Sequence, residues 1–487
     1  MRFCYGLSTN QTSGFLKSSH QSVLVLSFLS FPFALLAQPS FTKLFGPTGN
    51  TGYSVVQTAD KGFVFCGNTS PSGNSLLDLK IQVIRTDSLG NEIWRKRYAQ
   101  NEMNYVYKIV PTQDGGFAIG GYSQPSNSNY QQDMLIFRIG ANGDSLWANS
   151  YGQPSTASEI AYDLIQTSDK GFLLAGKSAP AVLEYMHLIK TDSLGNTQWT
   201  KAPMSSYLDH RALTVREIPS GGYIVGGNTS TPVKGLSVIR LDSAGNTVWA
   251  KRLSKGTYTP RAEDVLPLAD TGFLVVATIQ LNANNTQQNS WLLWLKANGD
   301  TVQTTTLHNI RIRSIIPDYL GGFWLAGVRP GSSSSSVLCK INSQGDSLWA
   351  KEYSFYPSVT VGEANPTKDG GLILVGSALD FNFETKAILI KTDGEGNVPA
   401  PVSVTALTSD LGLLKLYPNP ATDNLTLEVE NQSHPELTVL NVLGQPVWKM
   451  RCTEGNRHQI PVSGLPSGVY SLQVTTDKGF TTLPFRK

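Results

Sequence analysis

The segments TQDGGFAIGG, Thr112 to Gly121, and GANGDSLW, Gly140 to Trp147, decide how this chain is read, because both recur. The first returns as TADKGFVFCG, TSDKGFLLAG, IPSGGYIVGG, LADTGFLVVA, DYLGGFWLAG and TKDGGLILVG. Its glycine before the aromatic or leucine falls at Gly62, Gly116, Gly171, Gly222, Gly272, Gly322 and Gly371, spaced by 54, 55, 51, 50, 50 and 49 residues. The second returns as RTDSLGNEIW, KTDSLGNTQW, RLDSAGNTVW, KANGDTVQ, INSQGDSLW and KTDGEGNVPA, with glycines Gly90, Gly143, Gly195, Gly245, Gly299, Gly345 and Gly396. Asp or Asn opening such a turn bonds its own backbone, and Gly supplies a positive φ, so both motifs read as hairpin turns between alternating strands. Each unit then holds four strands, for example AYDLIQT, GFLLAG, YMHLIKT and TQWTK.

Four strands per unit of this length is the pattern of a β-propeller blade. An open stack of seven such sheets leaves two apolar faces in water, and a ring leaves none. The expectation is an all-β, seven-bladed β-propeller, with an eight-bladed ring or an irregular solenoid as alternatives. The Trp four residues after the turn glycine (Trp94, Trp147, Trp199, Trp249, Trp349) resembles the inter-blade docking Trp of propellers with pyrroloquinoline-quinone-type repeats. Blade five has Gln303 there, and the seventh copy has Ala400 with no strand after it. Near the N-terminus FTKLFG, Phe41 to Gly46, aligns with the Trp strand: Phe41 matches Trp94 and Phe45 matches Tyr98. That strand is expected to complete the seventh blade beside Ala387–Thr392, closing the ring and removing a sheet edge.

Composition agrees with this class. Charged residues make up 15% of the 487, there are 45 glycines, and no stretch keeps a helical period. The formal charge of +3 is spread without a Lys/Arg run, which argues against nucleic acid or an anionic membrane as partner. Upstream, Arg2 and Lys17 precede the apolar run Ser22 to Ala37, too short to span a bilayer and of the length of a signal-peptide core. Residues 1–37 are therefore read as an export signal, 38–400 as the propeller and 401–412 as a Pro/Val/Thr-rich linker. Four cysteines (Cys4, Cys66, Cys339, Cys452) are too scattered for a disulfide framework, and no Cys/His cluster offers a metal site.

Residues 413–487 alternate like a small immunoglobulin-like β-sandwich. Three ordered motifs carry a more specific resemblance: Tyr417, Pro418, Asn419, Pro420 with Asp423 and Leu425; then Leu443, Gly444, Gln445; then Gly468, Val469, Tyr470. Together they resemble the type A C-terminal sorting domain of the type IX secretion system of Bacteroidetes. The resemblance implies the type IX machinery as a partner, periplasmic transit, and then release or attachment at the outer-membrane surface. It also allows O-glycosylation at Asp-Ser-apolar triplets such as Asp87 to Leu89, Asp192 to Leu194 and Asp346 to Leu348, though turn chemistry already accounts for these.

Function is expected on the face of the long, dissimilar connectors, among them SYGQPSTASE, SKGTYTPRAE and LNANNTQQNS. Eleven residues before the repeat glycine stand Arg211, Arg261 and Arg311 in three successive blades. Three positions further stand Ser54, Lys108, Asp163, Thr214, Asp264, Ser314 and Glu363, polar in every blade. Tyr53, Tyr107 and Tyr162 lie between the two registers. The candidate ligand site is thus a channel mouth formed by Arg211, Arg261, Arg311, Tyr53, Tyr107, Tyr162, Asp163 and Asp264, suited to an anionic glycan or a protein partner. The plainer reading is that these residues line a wet channel and that the arginines pair with Asp163, Glu263 or Asp264. Carboxylates such as Asp163, Asp264 and Glu363 leave open a polysaccharide hydrolase or lyase. No cofactor or metal is expected: the six histidines form no ligand pair, there is no Gly-x-Ser-x-Gly or Walker loop, DSLGN lacks calcium-loop carboxylates, and the adjacent Cys pair of a quinone dehydrogenase is missing.

Overall fold

Both turn motifs fold through their own side chains. At the second, Asp87 Oδ1 accepts from the Leu89 and Asn91 amides, each at 2.8 Å, and its Oδ2 from Asn91 Nδ2 at 2.8 Å. Asp192 with Asn196 and Asp393 with Asn397 repeat the arrangement, and Gly90, Gly195 and Gly396 adopt φ of 76°, 86° and 72°. At the first motif the expectation needs correcting. The positive φ belongs to the preceding residue, Lys61 at 66°, Gly115 at 86° or Lys170 at 69°, and among the repeat glycines only Gly222 shares it. The repeat glycine is needed for a different reason: a Cβ there would run into a carbonyl of the third strand, 2.5 Å from Ile139 O at Gly116 and 2.5 Å from Leu295 O at Gly272.

The computed structural model describes residues 38–487 except 47–48, 71–78, 99–101, 126–130, 153–157, 181–182, 205–207, 232–233, 256–259, 269–271, 282–286, 320, 332–333, 381, 383, 399–407, 410–411, 420, 430–433, 442–444, 454, 467 and 477–478. The export signal read at 1–37 and most of the linker lie outside them. Seven four-stranded antiparallel sheets follow one another, six built from consecutive strands such as Ser158–Gln166, Phe172–Ala179, Tyr185–Thr191 and Thr197–Lys201. The seventh takes Ser358–Pro366, Leu372–Leu379 and Thr385–Lys391 from one end of the chain and Phe41–Phe45 from the other. Phe41 lies opposite Lys391 and Phe45 opposite Ala387, the register Trp94 and Tyr98 hold against Arg85 and Ile81 in the first blade.

The apolar cores lie between neighbouring blades. One joins Val64 and Val83 to Ile109 and Phe137; another joins Phe41, Phe45 and Leu389 to Val55, Phe63 and Phe65. Each interface is also keyed by an aromatic ring seated on the turn glycine of the next blade, where a Cβ would collide: Trp94 on Gly143 at 2.7 Å, Trp349 on Gly396 at 2.6 Å and Phe41 on Gly90 at 2.5 Å. In blade five, where Gln303 replaces the Trp, its cross-strand neighbour Trp294 takes the role and sits on Gly345.

Residues 408–487 form two further four-stranded sheets, their facing Leu425, Leu427, Leu437, Val439 and Leu472 making a separate core. Of the sorting motifs, the Tyr417 hydroxyl bonds Glu428, Gln445 N donates to Asn441 Oδ1 at 3.0 Å, Gly468 N donates to Lys487 O at 3.1 Å, and Tyr470 stacks on Phe485 at 5.6 Å. Val469 pairs with Arg486 in the sheet, while Pro418 and Asn419 form the bend after Tyr417. Pro420, Leu443 and Gly444 lie outside the described residues. Cys66, Cys339 and Cys452 are buried and unbridged. Among the described residues no helix is long and apolar enough to cross a membrane.

Candidate functional site

In six of the seven innermost strands the ladder shifts by one residue at the same place, between Val106 and Lys108, Ala161 and Asp163, Ala212 and Thr214, Ala262 and Asp264, Ile312 and Ser314, and Val361 and Glu363. A bulge leaves the extra residue unpaired and re-aims its neighbours. As a result, two consecutive residues of each of these six blades reach the axis. Nine positions before the repeat glycine stand Tyr53, Tyr107, Tyr162, Leu213, Glu263, Arg313 and Gly362; all seven line the central cavity, with Lys108, Asp163, Thr214, Asp264, Ser314 and Glu363 of the following position.

The following position forms a tier of struts. Asp163 accepts from its neighbour Leu164 N at 2.9 Å and, in the next blade, from Val215 N at 2.9 Å; Asp264 likewise accepts from Val265 N at 2.9 Å and Ile315 N at 3.0 Å. Arg216 lies between the two, Nη1 to Asp163 at 2.9 Å and Nη2 to Asp264 at 2.6 Å. Lys108 reaches Glu363. Ser314 Oγ accepts from Ala364 N at 3.2 Å and Ser54 Oγ donates to Ile109 O at 3.3 Å, each one blade on. Asp163 and Asp264 are therefore pins between blades, committed to backbone amides and to one half-buried guanidinium. Burial raises the Asp264 carboxyl above its ordinary range, Arg216 opposing it.

Above this tier the mouth divides in two. On one side Tyr53, Tyr105, Tyr107, Tyr122 and Tyr162 form a continuous cluster: Tyr105 stacks on Tyr122 at 5.6 Å, Tyr107 meets Tyr105 at 4.8 Å and Tyr162 at 5.5 Å, and the Tyr53 and Tyr105 hydroxyls bond each other. Burial, then neighbouring tyrosines, raise the phenols of Tyr105 and Tyr107, so they stay protonated. On the other side are Arg211, Arg261, Arg311 and Arg313. Arg211 pairs with Glu184, which also holds Lys177. Arg311 grips Glu263, Nε to Oε1 at 3.0 Å and Nη2 to Oε2 at 3.3 Å. Burial alone would raise the Glu263 carboxyl, but Arg311, Arg261 and Arg313 outweigh it and hold it below the usual range. Arg261 is exposed and makes no ion pair among the described residues.

The structure thus brings all eight candidate residues to one end of the channel but splits their roles. Among the described residues, the expected pairing of arginines with Asp163, Glu263 or Asp264 is seen for Arg311 with Glu263. Arg216, Arg313, Tyr105, Tyr122 and Glu184 were missed. Arg313 stands in the same register as Tyr53, Tyr107 and Tyr162, and comparing that register blade by blade would have found it. Among the described residues no cluster of His, Cys, Asp or Glu could hold a metal ion.

Residues 415–484 match the family described as the secretion system C-terminal sorting domain, which implies export to the cell surface or the extracellular space. No curated protein sequence matches the chain. Solved structures similar in course include a fungal alcohol oxidase in complex with copper, 12% identical over 91% of this chain and 98% of that one, with a TM-score of 0.45. A catalytically inactive virginiamycin B lyase variant from Staphylococcus aureus with quinupristin is 12% identical over 72% and 98%, at 0.47. The Dos1 propeller is 10% identical over 88% and 95%, at 0.44.

Proposed function

We propose that the propeller is the non-catalytic binding part of an exported protein and that it holds an acidic carbohydrate at its mouth. One observation carries this reading: a rim of five contiguous tyrosines faces four arginines, of which Arg211 pairs with Glu184, Arg311 with Glu263, and Arg261 makes no ion pair among the described residues. Tyrosine rings offer flat apolar surfaces with hydroxyl donors for sugar faces, and guanidinium forks match carboxylates. The competing reading is polysaccharide cleavage by channel carboxylates. The raised Asp264 carboxyl favours it, and the commitment of Asp163 and Asp264 to backbone amides and Arg216 opposes it.

The test is binding of the full-length chain to a panel of acidic and neutral oligosaccharides, together with assays for their cleavage. Arg261→Gln is the informative variant, because removing Arg311 would take the paired guanidinium from Glu263, and removing Arg211 would break up the set it forms with Glu184 and Lys177. It should weaken acidic ligands about tenfold, the worth of one charge-assisted hydrogen bond, and leave neutral ones unchanged. Equal binding by the variant and the parent would overturn the reading, and turnover of any oligosaccharide would establish the competing one.

A further inference from the structure

The struts below the mouth cross the axis from several blades: Lys108 of the second to Glu363 of the seventh, Arg216 of the fourth to Asp163 of the third and Asp264 of the fifth. The cavity above them has a volume of about 110 Å³. That is space for a few waters only, and the Lys108–Glu363 and Arg216 struts cross its floor, so a sugar chain does not pass through. Arg313 enters this cavity from the sixth blade, and its guanidinium makes no hydrogen bond to a described residue; Nε is buried without a partner. The carboxylate that offsets it, Glu263, is already held by Nε and Nη2 of Arg311 and by Thr278 Oγ1 at 2.8 Å. Burial, and then the adjacent Arg311, push the Arg313 guanidinium down to about 10, so at neutral pH it remains a cation in an unfavourable place. A buried cation without a partner destabilises a fold, and water can accept its hydrogen bonds without supplying the missing charge.

We propose that the throat is a seat for one carboxylate, gripped by Arg313 with Arg261 beside it and walled by Tyr53 and Tyr107, so that an acidic chain is held end-on with its terminal residue inserted. This inference rests on the acidic-carbohydrate reading of the mouth and specifies its geometry. An end-on ligand gains affinity only from the few residues that reach the tyrosine rim. A ligand lying across the face would keep gaining with length.

Galacturonate and its di-, tri- and hexamer, with carboxyl-reduced counterparts, supply the probes for calorimetric titration of the full-length chain and of Arg313→Gln. The expected result is measurable binding of the monomer, affinity that levels off by the trimer, and a loss of about 10- to 100-fold in Arg313→Gln for every acidic length. Unliganded Arg313→Gln should melt no lower than the parent, since it sheds an uncompensated charge; a structural arginine would lower the melting temperature instead. Affinity that climbs steadily to the hexamer, or oligomers that bind Arg313→Gln as they bind the parent, would overturn the end-on seat and leave the mouth reading intact. Monomer binding that depends on Arg313, with longer oligomers no tighter and Arg261→Gln without effect, would keep the seat and overturn the mouth reading. No binding of any acidic probe would overturn both.

Discussion

Phe41→Ala tests whether the N-terminal strand holds the ring shut. Phe41 is 8% exposed, lies edge-on to Phe63 with centroids 5.9 Å apart, and occupies on Gly90 the place that Trp94 and Trp349 occupy on Gly143 and Gly396. Truncating a buried Phe to Ala costs about 3–5 kcal/mol, because the rest of the interface cannot collapse into the space. With an unfolding entropy of roughly 2.1 cal/mol/K per residue over the span 38–400, that corresponds to a fall of about 5 °C in Tm. Scanning calorimetry of the parent, Phe41→Ala and Trp349→Ala, with limited proteolysis below the transition, gives the comparison. If the strand closes the ring, Phe41→Ala falls by an amount similar to Trp349→Ala, and cleavage begins at the first or seventh blade. A Tm within about 1 °C of the parent, beside a clear fall for Trp349→Ala, would refute the reasoning: the first and seventh blades would then be held together without the strand.

Two further outcomes follow from the same geometry. Gly171→Ala, at ordinary φ, should cost more than the roughly 1–2 kcal/mol of a left-handed alanine expected for Gly115→Ala, because a Cβ at Gly171 meets the Thr191 carbonyl oxygen while one at Gly115 meets nothing within 4 Å; urea midpoints of the two variants check the order. The Asp369–Lys391 pair, 2.9 Å apart with side chains 4% and 0% exposed, should lose about 3–5 kcal/mol in Asp369→Asn, which leaves the ammonium unpaired, and less in Asp369→Asn with Lys391→Met. Burial would raise the Asp369 carboxyl, but Thr367, Lys391 and the Gln38 amide hold it below 3.8; its contribution is therefore present above that value and lost as pH falls through the lower folded one. Melting temperatures between pH 5 and 3 should accordingly fall more steeply for the parent than for Asp369→Asn.

How much of this could be read from the chain alone depended on whether the cause was local. The number of blades, the place of both turns, the register of the docking rings and the slot for Phe41 to Phe45 are carried by contiguous residues. An Asp that caps its own loop, a glycine at positive φ and a strict alternation act within a few positions of themselves. The sorting segment was legible for the same reason, as three short motifs in order. The site was legible only as a set of registers. Arg211, Arg261 and Arg311 stood out by spacing, but a strict alternation would send residues three positions apart to opposite faces, and only the bulge after Ala161, Ala212 and their equivalents turns Tyr162 and Asp163 both toward the axis. A bulge is one extra residue against a partner strand, so it exists only once the ladder has formed. Partner choice lay equally beyond the chain: Arg216 joins Asp163 and Asp264, 53 and 48 residues away, and Arg313 makes no ion pair among the described residues, because the ring brings seven strands to one axis and the distances there decide which charges meet.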